Sequence, residues 1–332
     1  MQTTIDNLRA RLERAFLGIG APTEQAIATA EMCLDAELRE HFSHGVRLVR
    51  NIATEYRTGA SRRRELAITS ETPVSAIVDG GYNLSPYVHR IAADLAAEKA
   101  DTTGIGIASV HSAGVSGALG YLVERIAARG FIAIAFNSTP LVVVAPGTTV
   151  PTLGTNPLAM AVPREDDDPL VLDMSTSSIA FNKVMRARSL NTELPAGVAL
   201  DVHGEVTRDP HAAVDAQGRG RLLPFGGHRG YGLSLMLELI VSGFITGRTG
   251  ATKRGDVIHE PDDFGALYLA IDPAILGPAE NSEAVECLIA EITAAGGRLP
   301  GENSRAIREE RILSGVVELD AEAGAVLAEH TP

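Results

Sequence analysis

The run "GIGIASV" at residues 104–110 is short, rich in β-branched side chains and set off by glycine, a texture that predicts a strand. Three further short apolar runs, separated by Gly and Pro, are also expected strands: "FIAIAF" (131–136), "LAMAVP" (158–163) and "PLVLDM" (169–174). Helical stretches over 85–100 and 118–129 fall between them, so residues 71–225 are expected to form a mixed α/β sheet domain. Outward from this sheet the pattern changes. In residues 1–70, Ile5, Leu8, Leu12 and Phe16 share one helical face, Gly18 and Gly20 end that run, and Thr23 in "PTEQ" offers an N-cap for a second helix running toward residue 40. "YRTGASRRREL" (56–66) reads as an exposed linker. In residues 226–332, Leu233, Met236, Leu237, Ile240 and Phe244 keep helical spacing, a strand is expected at 264–271, and helices follow at 282–296 and 303–313. Both chain ends are thus expected to build one helical layer, with the sheet inserted into it.

Composition bounds what this fold can do. The chain has 332 residues, is 45% hydrophobic and carries a net charge of −13. Such a field repels nucleic-acid phosphates and anionic lipid surfaces, so neither is an expected partner. A local arginine cluster can still attract a small anion, and "REHFSHGVRLVRN" (39–51) is one. Cys33 and Cys287 stand far apart without a CxxC pattern, which fits a reducing compartment and two buried thiols. No signal-type leader or long uncharged apolar run is present, and a cytoplasmic location is expected.

The chemistry-bearing residues lie in turns. Neither G-x-G-x-x-G after a strand nor G-x-x-x-x-G-K-[ST] occurs, which leaves a Rossmann assignment unsupported. Instead "PTLGTNPLA" (151–159), "VLDMSTSS" (171–178), "PFGGHRGYGL" (224–233) and "RLPGENSR" (298–305) offer backbone N–H groups and hydroxyls at element ends, suited to an anion or a ribose. Each alone is as well explained as a plain turn. His41 and His44 have no third ligand near them in sequence, so no metal is expected. A histidine beside a serine hydroxyl and cations suits proton transfer next to a bound carboxylate, yet the same residues suit a helix C-terminus capped by Gly45.

The set "SHGVRL", "LGTNPLAMAVP", "LDMSTS", "LPAGVALDVHGEVTRDP", "PFGGHRGYGLSLMLELI" and "LPGEN", in this order, resembles the type-2 malate/L-lactate dehydrogenase family over about residues 4–320. The resemblance implies a non-Rossmann ketoreductase-type fold, usually dimeric. It implies hydride transfer between NAD or NADP and a small 2-hydroxy or 2-oxo acid. Carried over by position, His44 is the expected proton donor with Ser43 orienting it, and Thr155 and Asn156 are expected at the substrate. Cofactor contacts are expected from Asp173, Met174, Ser175, Thr176, His228, Arg229, Pro300, Gly301 and Glu302. This sequence also departs from the family. Leu48 stands where an arginine commonly grips the substrate carboxylate, so either Arg47 or Arg50 is expected to substitute or the carboxylate is held otherwise. Val115 and Ser116 fill a turn where many members carry histidine, and His111 lies four residues before Val115. Lys183 stands near a position that is aspartate in some cyclic-imine reductases, which tilts the reading toward an oxo acid. Arg186 and Arg188 are candidates for a 2′-phosphate. Two alternatives remain: a cyclic 2-imino acid reductase, and a catalytically weakened paralogue that binds a nucleotide or metabolite.

Overall fold

The computed structural model describes residues 1–58, 63–165, 167–216, 218–253 and 263–330. Part of the expected linker, 59–62, lies outside the described residues. The main sheet has seven strands: β1 (Ala67–Glu71), β2 (Ser75–Asp79), β3 (Ile105–His111), β4 (Ile132–Asn137), β5 (Leu158–Val162), β6 (Leu170–Met174) and β7 (Ala266–Ile271). They lie in the order β1-β2-β3-β7-β4-β5-β6, with β2 and β3 parallel and the other neighbours antiparallel. The strand expected at 264–271 is therefore β7. It fills the centre of the sheet instead of joining the helical layer to which the sequence pattern assigns residues 226–332. Its alternation of Ala266, Tyr268 and Ala270, all fully buried, is the period-two face of a strand paired on both edges.

The longer helices are α1 (Ile5–Gly18), α2 (Thr23–Leu38), α3 (Arg47–Thr58), α4 (Ser85–Thr103), α5 (Leu119–Ala127), α6 (Phe181–Leu190), α7 (His228–Leu237), α8 (Ser282–Ala294), α9 (Glu302–Ser314) and α10 (Ala321–His330). Helix α1 begins at a true cap, since the Thr4 hydroxyl accepts the Asn7 N–H at 3.2 Å. Thr23 does not cap α2. It is already helical, and the extended Pro22 before it starts the helix without a side-chain bond. The helical run expected over 230–246 begins as α7 and continues as a π-helical segment, Glu238–Phe244.

Helices α4 and α5 pack on one face of the sheet through a layer dominated by alanine, including Ala92, Ala96, Ala100, Ala108, Ala133 and Ala161. Small side chains let backbone approach backbone. The closest approach is at Gly106 on β3, where an added Cβ would stand 1.8 Å from the Ala96 carbonyl oxygen of α4. Gly106→Ala is expected to destabilise the fold by about 2 kcal/mol through overpacking, read as a lower urea midpoint; an unchanged midpoint would contradict this account of the layer.

A second core joins the chain ends. Leu8, Leu12 and Phe16 of α1, residues of α2 and α3, and Val317, Leu319, Val326 and Leu327 form one buried cluster, and strands Gln2–Thr4 and Val316–Glu318 pair antiparallel beside it. A third cluster, with Val142, Leu153, Val184, Leu194 and Leu222, receives Tyr231 and Leu235 from α7. Cys33 is buried as expected, but Cys287 is exposed, because α8 buries only Ile289. Among the described residues no helix is long and apolar enough to cross a membrane.

Candidate active site

The turn that carries His44 lies between α2 and α3. It opens with Glu40 in a left-handed conformation (φ 60°). It is then held by His41 N–H to the Ala36 carbonyl (2.8 Å) and His44 N–H to the His41 carbonyl (2.9 Å). The reading of Gly45 as a helix cap fails, since α2 ends at Leu38 and the turn leads into a new helix. Ser43 Oγ stands 2.9 Å from His44 Nδ1. The imidazole keeps some solvent-accessible surface although protein surrounds it closely. Desolvation, and secondarily the charge of His41, lowers its pKa to about 4. His41 is lowered too, by burial and then by Arg39, with Lys183 of α6 adding to the effect.

The arginines expected at the substrate are engaged elsewhere. Arg47 binds Asp320 and, at 2.8 Å, Glu322, with its guanidinium 5.6 Å from the Phe42 ring centre. Arg50 faces Glu322 and Glu329 at 3.9 and 3.8 Å. Both tie α3 to α10 and its approach, while Leu48 packs against the helical core. Lys183 has no hydrogen-bond or ion-pair partner among the described residues, and its charge reaches the His41 side of the turn.

The start of β5 and the end of β6 meet at the Leu158–Met174 pair. The Thr155 carbonyl accepts both N–H (2.9 Å) and Oγ1 (3.0 Å) of Thr176, and Thr155 Oγ1 lies 3.0 Å from Thr139 Oγ1. Asn156 beside it is fully buried. Its Nδ2 donates to Glu238 Oε2 (2.7 Å), and its Oδ1 accepts the Thr139 N–H (3.3 Å). Thr176 is likewise fully buried. Asp173 is open to solvent yet densely surrounded, and its pKa is raised by desolvation while Oδ2 accepts the Gly120 N–H of α5 at 2.7 Å. Helix α5 also reaches the His44 side, where Glu124 bonds Arg39 at 2.6 Å.

Two glycine turns flank this floor. Gly226 and Gly227 both have positive φ (55° and 63°), and no atom lies within 4 Å of where either Cβ would be. Only glycine takes this path without strain, and it opens the start of α7. His228 and Arg229 there are exposed and have no hydrogen-bond or ion-pair partner among the described residues. The turn is tied to the β6 end by Phe225 N–H to the Thr176 carbonyl at 3.1 Å. Gly301 (φ 74°) starts α9 against β6, where a Cβ would stand 2.8 Å from the Val171 carbonyl, and Glu302 Oε2 accepts the Leu299 N–H at 2.9 Å. Pro300 and Glu302 are exposed beside it.

Three contributors escape local pattern. Val115 and Ser116 lie in a turn supported from beneath by His89. Its Nε2 faces the Gly114 carbonyl at 3.0 Å and its Nδ1 faces Tyr268 OH at 2.9 Å. A carbonyl only accepts, so Nε2 bears the hydrogen and Tyr268 donates to Nδ1; burial lowers this imidazole to about 4. His111 instead meets Ser112 Oγ at 3.0 Å. Glu37 and Glu238 are the other two, each fixed by partners distant in sequence. Among the described residues no group of three or more His, Cys, Asp or Glu side chains could hold a metal.

A family model described as malate/L-lactate dehydrogenase matches residues 3–327. The chain belongs to this family. It is 35% identical to a (2R)-3-sulfolactate dehydrogenase (NADP(+)) of Chromohalobacter salexigens, over 90% of this chain and 89% of that one. It is 32% identical to a ureidoglycolate dehydrogenase (NAD(+)) of Escherichia coli, over 84% of this chain and 79% of that one. The fold matches the crystal structure of the delta1-piperideine-2-carboxylate reductase of Pseudomonas syringae pv. tomato with a TM-score of 0.89 and 28% identity, covering 99% of each chain. This family member is an oxidoreductase with a seven-stranded mixed sheet.

Proposed function

We propose that this oxidoreductase exchanges hydride between NAD or NADP and carbon 2 of a small 2-hydroxy or 2-oxo acid, with His44 moving the proton at the substrate oxygen. The observation that carries it is the Ser43–His44 contact of 2.9 Å at a partly exposed imidazole. A serine hydroxyl can accept from Nδ1–H whether the ring is neutral or charged, and we assign that tautomer, in which Nε2 takes up and gives up the proton. With Arg47 and Arg50 bound to acidic side chains, Lys183 takes the substrate carboxylate, and the Thr155 hydroxyl lines the cleft beside it.

The residues present fit a dinucleotide. An open glycine turn at the start of a ten-residue helix, with Arg229 and His228 exposed at its mouth, suits phosphates. Asp173 has one oxygen left to accept from ribose hydroxyls, and Pro300–Glu302 border it across β6. Bound there, the nicotinamide supplies or takes the hydride. This surface comes from the end of β6 and the starts of α7 and α9, while the turn between α2 and α3 presents His44.

The test is consumption of NADH and of NADPH with pyruvate, oxaloacetate, sulfopyruvate and a cyclic 2-imino acid. Turnover of at least one 2-oxo acid is expected. Reduction of the imine alone would move the assignment to the reductase reading, which the likeness to the piperideine-carboxylate enzyme favours. Cofactor binding with no turnover would overturn both.

A further inference from the structure

Beneath the His44 turn lies a carboxyl group that the reaction above does not use. Glu37, next to the last residue of α2, is fully buried. Its Oε1 accepts the Val46 N–H at 2.7 Å, while Oε2, also buried, has no partner. Gly45 lies directly over it, since a Cβ there would stand 2.2 Å from Oε1. The backbone carbonyl of Glu37 is gripped as well, by the Arg311 guanidinium from α9. A single residue thus anchors the turn that carries His44 to both ends of the helical layer.

We propose that Glu37 is a positioning residue for His44, its carboxyl fixing the 41–46 turn from beneath through Val46 and leaving room only for glycine at position 45. The inference rests on His44 as the proton-exchanging group. The charged and titratable groups facing Glu37 are Cys33 on α2, Arg47 on α3, Arg311 on α9 and Asp320 before α10. Neither cation pairs with the carboxylate: Arg47 binds Asp320 and Glu322, and Arg311 binds Glu40 and the Glu37 carbonyl. A buried carboxyl without an ion pair is more stable neutral. Burial raises the Glu37 pKa to about 7, and the Val46 bond only partly opposes this. Glutamine, neutral and of the same reach, should therefore replace it, whereas alanine and the shorter aspartate should not.

Hydrogen exchange of the peptide over residues 41–50, followed in the unmodified protein and in E37A, E37Q and E37D, tests this without any substrate. Exchange in E37A and E37D should be about tenfold faster there, with the sheet unaffected, and E37Q should match the unmodified protein. Turnover should fall by about tenfold to a hundredfold in E37A with nicotinamide affinity unchanged, and E37Q should restore it. G45A should also loosen the turn, and by less in the E37A background, where the clashing oxygen is gone. If E37A fails to fold, E37D and G45A carry the comparison. Unaltered exchange in E37A and E37D, or an E37Q protein as impaired as E37A, overturns the proposal. Absence of turnover in the unmodified protein counts against the function proposed above, and the exchange pattern still decides the role of Glu37.

Discussion

Replacing His44 by alanine is expected to lower turnover by about two to four orders of magnitude while nicotinamide binding survives, because general acid–base catalysis contributes about that much. The groups proposed to hold the dinucleotide come from β6, α7 and α9, so removing an imidazole from the α2–α3 turn leaves them in place. The sign of the pH effect follows from the lowered pKa of about 4. Oxidation of a hydroxy acid needs the neutral ring as base, so kcat/KM in that direction should rise through about pH 4 and be level at neutrality. Reduction needs the imidazolium, so its kcat/KM should fall as pH rises above that value. An anionic substrate beside the ring raises its pKa and draws a proton in, so carboxylate binding and proton uptake are linked. Ser43→Ala, which removes only the hydroxyl at Nδ1, should cost less than H44A. Fluorescence titration with NADH and NADPH together with steady-state rates would check both halves. Retention of more than about a tenth of the turnover in H44A would remove His44 from the role, given the usual size of such effects.

The parts of this molecule that sequence pattern revealed are those whose causes are local. The runs at β3, β4 and β5 alternate between buried and partly exposed side chains, β6 is a short apolar run set off by Pro169, and the strands lie within one or two residues of the expected ends. Strand β1 left no such mark because all five of its residues are exposed, so nothing in its side chains records which face turns inward. The central place of β7 is invisible for a different reason. Its pattern predicts a strand, but pairing with β3 and β4, more than a hundred residues earlier, is a long-range choice that periodicity does not encode. Arg47 shows the same limit at the site. Nothing near "SHGVRL" announces that Asp320 and Glu322 take its guanidinium, and only the packing of α10 against α3 does so. Nor does anything near "GTNP" announce that the Asn156 amide bonds Glu238, eighty-two residues away.

That contact leads to the second large effect. Glu238→Ala is expected to destabilise the protein by about 3 kcal/mol, the scale for removing one member of a buried charged network. Glu238 is nearly inaccessible at 3% exposure, where three groups converge on its carboxylate. Lys253 Nζ donates to Oε1 at 2.9 Å, Asn156 Nδ2 donates to Oε2 at 2.7 Å, and the Gly154 N–H points at Oε2 from 3.5 Å. Alanine deletes all three acceptor contacts and leaves Asn156 Nδ2 with only the longer 3.4 Å approach to the Ser234 carbonyl. Glu238 also opens the π-helical segment, whose wider turn is a costlier backbone than the α-helix it continues. A carboxylate that ties this turn to the "GTNP" loop is a physical reason for that backbone to persist. The loss should therefore spread along a definite route, from Asn156 to its neighbour Thr155 and, through the Thr155 carbonyl, to Thr176 at the end of β6. Glu238→Gln keeps one oxygen acceptor and should lose less. Urea unfolding gives the stability change, and a higher KM for the acid substrate at unchanged fold content would report the displaced Thr155. An E238A protein within about 1 kcal/mol of the unmodified one would mean that this network does not hold the loop, since single-partner losses in buried networks run well above that.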